Sequence, residues 1–557
     1  MTNMKKYSKF LLTTSISVVV FSFASCNLDL EPVDSIHGNV EDTLMTTPRM
    51  LTNYANGINQ GYRASFNGAL SMVQEVMLDG FNACDGFGNN MGPVHRMDDT
   101  FTPSNEDILS TWAQHYAEIT DVNIFINQVG KYKVKFAEAP ITVEAAKIYE
   151  GYAHFYRANA YLELVRHFAK PYDGDESATQ NLAVPLVLEY SLSAKPARAT
   201  VKEVYDQIKK DLDIAMVQVA AKELYLTKSN KKEPFSGELT AEAKVAKKIL
   251  ANIGIVTSAD VRKTPTVDAV KALMARYYLD IHNYAEAAKL SKEIIESGKY
   301  KLASNDTEMI EEYTYDRGTE AIIQLPGSVN ESGTNVNSYY TRIGSDAFFL
   351  KNFGNSMYYS PYFAPSQTLI DLYKPTDLRF KNWFDKKNYP IYTQSLAYGK
   401  NQWYVFSRYV GNPNLTANGI LNSRHLVKPF LISEMYLLNA EANAKLGNTG
   451  EAKTILNDLQ QARGAELTEA TIELIGDELF RELVGEGARY HFLKRNHIGT
   501  KTRVGQSLAN KLSMLESGKG YQDHTLPADD YHFTWPIPAR EIQINGSLIQ
   551  NNGYGDK

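Results

Sequence analysis

Two distant segments of this chain spell the same pair of helices, and that repetition constrains the fold more than any other feature. Val267 to Ile281 followed by Tyr284 to Ser297 matches Lys428 to Leu446 followed by Thr449 to Arg463 at a displacement of 440 − 275 = 165 residues. Ala275 falls on Ala440, Glu286 on Glu451, Ala287 on Ala452, Leu290 on Ile455 and Ile294 on Leu459. Apolar residues recur at offsets of three and four, the spacing of one helical face. Gly447-Asn448 supplies a cap and turn between the second pair. A third pair is predicted from Ala145 to Phe168, with Gly151, Ala153, Phe155, Tyr156 and Ala160 on its apolar positions, and from Val201 to Ala215.

Alanine facing alanine between paired helices is how tetratricopeptide (TPR) hairpins of about 34 residues pack, and such units bury their faces only by stacking. The predicted fold is mostly α, with TPR-like hairpins near 143–215, 267–297 and 428–463 as scaffold and a single domain over 46–557. Phe81 to Thr102, Asp173 to Arg198, Ala221 to Pro265 and Gly327 to Tyr362 are rich in Gly, Asn, Ser and Pro, and read as long loops. Loops of that length in a compact protein are usually functional or disordered, and the ligand-binding portion is expected near 80–102 and 327–425. The lysine-rich 221–265 stretch reads as a solvated insertion carrying a helix near Leu239 to Asn252. The tail over 531–557 contains Trp535-Pro536-Ile537-Pro538; two prolines exclude a helix there and predict extended chain anchored by Trp535 and Ile537.

At the other end, Lys5, Lys6 and Lys9 precede an apolar run from Phe10 to Phe23 that is too short to span a bilayer. This is a signal peptide over 1–25. Phe23-Ala24-Ser25-Cys26 looks like a bacterial lipobox, so Cys26 is the expected lipidation site and 26–45 a lipidated tether. Several acyl chains hold a protein on a membrane where one does not. The net charge of −6 becomes −6 − 3 = −9 without residues 1–25, which carry three lysines and no acid. That balance offers no electrostatic case for nucleic acid. With Cys26 lipidated, Cys84 is the remaining thiol and reads as a small core residue.

No complete catalytic spelling is present. There is no His-Glu-x-x-His pair, Gly505-Gln506-Ser507-Leu508-Ala509 lacks the last glycine of a nucleophile elbow, and Gly518-Lys519 lacks the upstream glycine of a phosphate loop. Asp79-Gly80, Asp85-Gly86 and Asn89-Asn90 carry oxygens suited to calcium without the EF-hand spacing, and a turn cluster is expected there. No cofactor is expected beyond the lipid on Cys26. Glu482 and Glu486 with Arg481, Arg489 and Arg495 read as a structural ion-pair face.

Several of these segments together resemble the SusD/RagB family of outer-membrane nutrient-binding lipoproteins. They are the region Gly151-Tyr152-Ala153 through Phe155-Tyr156-Arg157-Ala158 to Leu164-Val165-Arg166-His167-Phe168, then Val184-Pro185-Leu186-Val187, then Ser433-Glu434-Met435-Tyr436-Leu437 with Ala440-Glu441-Ala442. Glu486-Gly487, Arg489-Tyr490 and Arg495, and the Trp535 to Tyr554 tail, complete the match. Phe492 and Ala488 depart from the Asp and His usual in that family, which puts a local salt bridge there in doubt. The resemblance implies a lipoprotein on the outer-membrane surface that binds glycan without catalysis and closes as a lid over a SusC-like TonB-dependent transporter. A RagB-like peptide-binding lid, a surface glycan hydrolase with two carboxylates about 5–10 Å apart and a TPR assembly scaffold are the alternatives.

The chain has 35 tyrosines, many beside Asn, Ser and Gly, as in Tyr339-Tyr340, Phe348-Phe349, Phe353, Tyr358-Tyr359 and Trp403-Tyr404. Flat rings cover the apolar faces of sugars while neighbouring Asn, Asp and Arg take the hydroxyls. By resemblance, the binding surface is shared between the loop before the first hairpin and a later insertion. That points to Asn82, Phe87, Asn89 and Arg96 on one side and Tyr339, Tyr340, Phe349 and Tyr358 on the other.

Overall fold

The computed structural model describes residues 45–555, apart from 330–357, 416–423, 507–514 and several shorter stretches of at most four residues. Helices dominate. Those of eight residues or more are α1 Pro48–Ala64, α2 Gly68–Met77, α3 Glu106–Lys135, α4 Pro140–Phe168, α5 Val201–Lys228, α6 Ala241–Asn252, α7 Val267–Asp280, α8 Tyr284–Glu296, α9 Asp306–Tyr313, α10 Ile432–Lys445, α11 Thr449–Ala462, α12 Ile472–Glu482 and α13 Ala488–Arg495. Among the described residues the strands form two-stranded antiparallel ribbons only.

The three hairpins form, and they are consecutive in space. α3 packs on α4, α4 on α5, α5 on α7, α7 on α8, α8 on α10 and α10 on α11. The 165-residue repeat thus marks neighbours in one stacked array: Ala275, Ala440, Ala287, Ala452, Ile294 and Leu459 are all fully buried. Glu286 and Glu451 stay at the surface, where Lys292 reaches Glu451 at 2.8 Å across the two hairpins. α4 is buried on every face from Ile148 onward, with Glu163 half-buried, the pattern of a central helix. Pro140 opens it, where a missing N–H costs nothing. Gly151 sits where α5 comes closest; a Cβ there would lie 2.7 Å from Cβ of Gln218.

Local chemistry moves several boundaries. α5 runs thirteen residues past the expected Ala215 to Lys228, started by a Thr200/Glu203 capping box. The 221–265 stretch is consequently no free insertion: Lys222 is buried and donates to the carbonyls of Val261 and Pro265, while α6 packs on α4 and α5. α10 begins at Ile432 rather than Lys428, because Pro429 disfavours helix before it and Phe430–Leu431 pairs with Ala321–Ile323 instead.

The expected ion-pair face is structural, though its partners are remote and buried. α12 ends at Glu482, and Gly485 and Gly487 turn the chain in left-handed conformation. Glu482 bonds Arg463 at 2.6 Å and Arg379 at 2.9 Å. Glu486 meets Arg408, Arg489 meets Asp79 and Arg495 meets Glu441. Phe492 is core, with the Arg495 guanidinium 5.4 Å from its ring centroid.

The tail is laid over the body as expected. Trp535 and Ile537 are fully buried, the Trp535 N–H donates to the His167 carbonyl at the end of α4, and Asn551 bridges the carbonyls of Phe168 and Trp535. A one-and-a-half-turn helix, Ala539–Ile544, follows directly after Pro538. No helix among the described residues is long and apolar enough to cross a membrane.

Candidate functional site

Strand Phe81–Ala83 pairs antiparallel with Phe363–Pro365, placing Asn82 opposite Ala364. The Cys84 N–H donates to the Tyr362 carbonyl and the Glu516 N–H to the Ala83 carbonyl, which draws a third segment against the same edge. The pairing thus brings the start of the 80–102 loop beside the end of the 358–365 stretch, two regions far apart in the chain. Beneath lies a small core of Cys84, Tyr359, Ala364, Ile391, Trp403, Val405 and Leu515. Cys84 is fully buried there and burial pushes its thiol far above the usual range, as expected of a core residue. Trp403 belongs to this core as well, so it is no surface platform.

Arg503 holds the loop from below through backbone carbonyls. It donates to the carbonyls of Leu78, Met77 and His95. His95 donates from Nδ1 to the Val76 carbonyl at 2.8 Å, leaving Nε2 to accept from Ala83 and Arg503. Burial, reinforced by the Arg503 charge, keeps His95 neutral. Burial likewise lowers Arg503 to about 9.

On this base the loop carries Asn89, Met91 and Met97 in left-handed conformation, φ 54°, 53° and 47°. Two left-handed methionines in one loop store backbone strain, which clusters where proteins bind ligands. Arg96 is the hub. Its Nε bonds Asp98 at 2.7 Å, Nη1 bonds Asn89 Oδ1 at 3.0 Å and the Tyr521 hydroxyl at 2.7 Å, and Nη2 bonds Thr100 at 3.2 Å. Its guanidinium also lies 5.2 Å from the Tyr521 ring centroid. Burial opposes the Arg96 charge, yet Asp98 and Tyr521 outweigh it and raise its pKa. Burial opposes ionisation of Asp98 too, and hydrogen bonds from Thr100 and Arg96 pull its carboxyl below the usual range. Gly92 is required here, since a Cβ would strike Asn89 Oδ1 at 1.8 Å and Arg96 Nη1 at 2.9 Å.

Of the residues singled out by sequence, Asn89 is exposed, Arg96 half-buried and tied to it, and Tyr358 half-buried on the facing segment. Asn82 corrects the expectation: it is fully buried, and its amide donates to the Tyr521 carbonyl at 3.2 Å, supporting the surface from beneath. Phe87, Tyr339, Tyr340, Phe349 and Cys26 lie outside the described residues. Tyr521 was missed by sequence reasoning; the signal was an aromatic directly after the glycine-rich Gly518-Lys519-Gly520 spelling, the same kind that flagged the other rings.

Residues 28–236 match a family profile described as starch-binding associating with the outer membrane, and residues 296–554 match that of the SusD family. The chain is 29% identical over 125 residues to the starch-binding protein SusD of Bacteroides thetaiotaomicron, covering 22% of this chain and 21% of that one. The match thus spans about a fifth of the length of that curated relative. Among solved structures, a SusD superfamily protein from B. thetaiotaomicron superposes at TM-score 0.66 with 20% identity, over 90% of this chain and 99% of the other. A protein described as a putative sugar binding protein from Bacteroides vulgatus gives 0.65 with 22% identity, over 92% and 100%. A SusD-like protein described as laminarin binding gives 0.62 with 19% identity, over 90% and 99%. At these identities the likeness is one of fold.

Proposed function

The chain belongs to the SusD/RagB family, and from that premise we propose that it is a surface lipoprotein of the outer membrane, anchored through Cys26, that binds oligosaccharide or polysaccharide and delivers it to a SusC-like TonB-dependent transporter. The observation that carries the reading is the Arg96–Tyr521 pair. A guanidinium and a phenol ring are locked together at the edge where the 80–102 and 358–365 segments meet. Among the described residues, four of the five Arg96 N–H donors are engaged, leaving one on Nη2 beside the exposed Asn89 amide for sugar hydroxyls. The half-buried rings of Tyr521 and Tyr358 supply flat apolar area. Covering roughly 100 Å² of apolar sugar face contributes on the order of 2–3 kcal/mol, so several rings must act together. The site favours capture over hydrolysis, because, against its burial, hydrogen bonds from Thr100 and Arg96 pull the Asp98 carboxyl below the usual range, whereas a glycosidase acid needs a raised pKa.

The test is affinity electrophoresis of the soluble form beginning after Cys26, in gels containing a panel of polysaccharides with a peptide digest assayed alongside. Retardation by at least one glycan, lost in Arg96→Ala and Tyr521→Ala, is expected. Binding to peptides alone would favour the peptide-lid reading, and shortening of the polymer would mean an enzyme.

A further inference from the structure

We propose a second site, a transition-metal centre formed by Glu163, His167 and His491 inside the helical body, remote in sequence from the loops above. Glu163 and His167 are four residues apart on α4, so they share one face, and His491 reaches them from α13. One ligand atom from each lies within 4.8 Å of the other two. His491 Nε2 and Glu163 Oε2 are 3.6 Å apart. That is too long for a hydrogen bond, and close to the edge of a tetrahedron with bonds of about 2.0–2.2 Å, roughly 3.4 Å.

The surroundings prepare the ligands. His167 donates from Nδ1 to the Glu163 carbonyl at 2.7 Å, and its Nε2 meets the Gln74 side-chain oxygen, a contact that an ion bound at Nε2 would displace. Backbone-oriented imidazoles of this kind are the usual metal ligands. Arg166 takes the other Glu163 oxygen at 3.5 Å, leaving Oε2 toward His491. The three residues border a cavity of about 110 Å³ that Asn159, one turn before Glu163, also lines. Asn159 is 1% exposed, and neither of its side-chain polar atoms has a partner among the described residues; the buried His491 Nδ1 has none either. Such orphaned groups call for an unseen ligand, water or ion, and an ion carrying one water would occupy the fourth corner with Asn159 to hold that water. Neighbouring guanidinium groups do not oppose a cation, since Arg166 is paired with Asp280 and Arg276 with Glu434, both at 2.5 Å. Two imidazoles and one carboxylate suit Zn²⁺, Co²⁺ or Ni²⁺, whereas Ca²⁺ and Mg²⁺ take oxygen ligands.

The experiment titrates untagged, chelator-stripped protein with Co²⁺, read by its visible absorption, and then with Zn²⁺ as competitor. One Co²⁺ per chain in a low-coordinate spectrum, displaced by Zn²⁺ and accompanied by a higher Tm, is expected. Affinity should fall at least tenfold in His491→Gln and Glu163→Gln, with folding checked by circular dichroism. A folded wild type that takes up no stoichiometric Co²⁺ or Zn²⁺ at micromolar concentration overturns the proposal, whatever the variants do. So does undiminished binding in both folded variants.

Discussion

Glu75 shows how much one buried carboxyl decides. It is fully enclosed, with an oxygen accepting from the Gly487 N–H at 2.6 Å. Burial pushes its pKa from 4.5 up to about 7, against the lowering effect of backbone donors from Gly487 and Gly485. A raised carboxyl pKa means that the folded state holds a proton which the unfolded chain releases between those values. Its stabilising contribution is therefore complete below about pH 4.5 and fades as pH rises through 7. Glu75→Gln keeps the acceptor oxygen without the ionisation. It should stabilise the protein at pH 8 by up to roughly 3 kcal/mol, at about 1.4 kcal/mol per unit, and leave stability at pH 4 nearly unchanged, as read by urea melts at the two pH values. Arg463 behaves oppositely, because it lies between Glu320 and Glu482 with every partner fully buried. Burial resists the Glu482 charge, but Arg463 and Arg379 outweigh it and draw the pKa down to about 2. Arg463→Ala would take the buried guanidinium from Glu320 and leave Glu482 to Arg379, and should cost about 3–5 kcal/mol, measured by the same melts.

At the scale of elements, the α4–α5 contact is set by Gly151. Gly151→Ala should push the helices apart and cost about 1–3 kcal/mol, visible as a lowered Tm with unchanged helical circular dichroism. The hairpins were legible in the sequence because they carry strong 3.6 periodicity: Ala275 with Ala440 and Ala287 with Ala452 mark the packed faces directly. Their stacking order was not, since α8 touches α10 across 135 residues that sequence alone does not fold up. Lys222 shows the same limit. Its charge argued for solvent, whereas the carbonyls of Val261, Thr264 and Pro265 make it an interior donor set. At the site, Asn89 and Arg96 were legible as polar loop residues. Asn82 was misplaced because strand pairing with Ala364 turned it inward, and Tyr521 was missed because its approach depends on a contact 425 residues distant in the chain. Gly92→Ala tests the loop as a unit. It should dislodge Asn89 from Arg96 and weaken glycan binding at least fivefold without lowering Tm by more than a few degrees, checked by calorimetric titration beside a thermal melt.

For the whole molecule, a stacked helical body presents irregular loops at one edge and ties its ends together with a buried tail. Arg198 makes that tie explicit, donating to Ile549 and Asn551 of the tail as well as to the end of α4. The arrangement gives the loops a rigid base, so ligand contact need not deform the scaffold. It also offers a competing surface, the cleft of about 700 Å³ between the tail and the 170–182 segment, lined by Asp173, His497, Tyr531 and Asn551. Hydrogen exchange of the protein with and without a saturating oligosaccharide from the binding panel separates the two directly. The account predicts protection confined to 81–102, 358–365 and the neighbourhood of Tyr521. Protection of 529–534 and 549–552 instead, with the Arg96 loop unchanged, would contradict it.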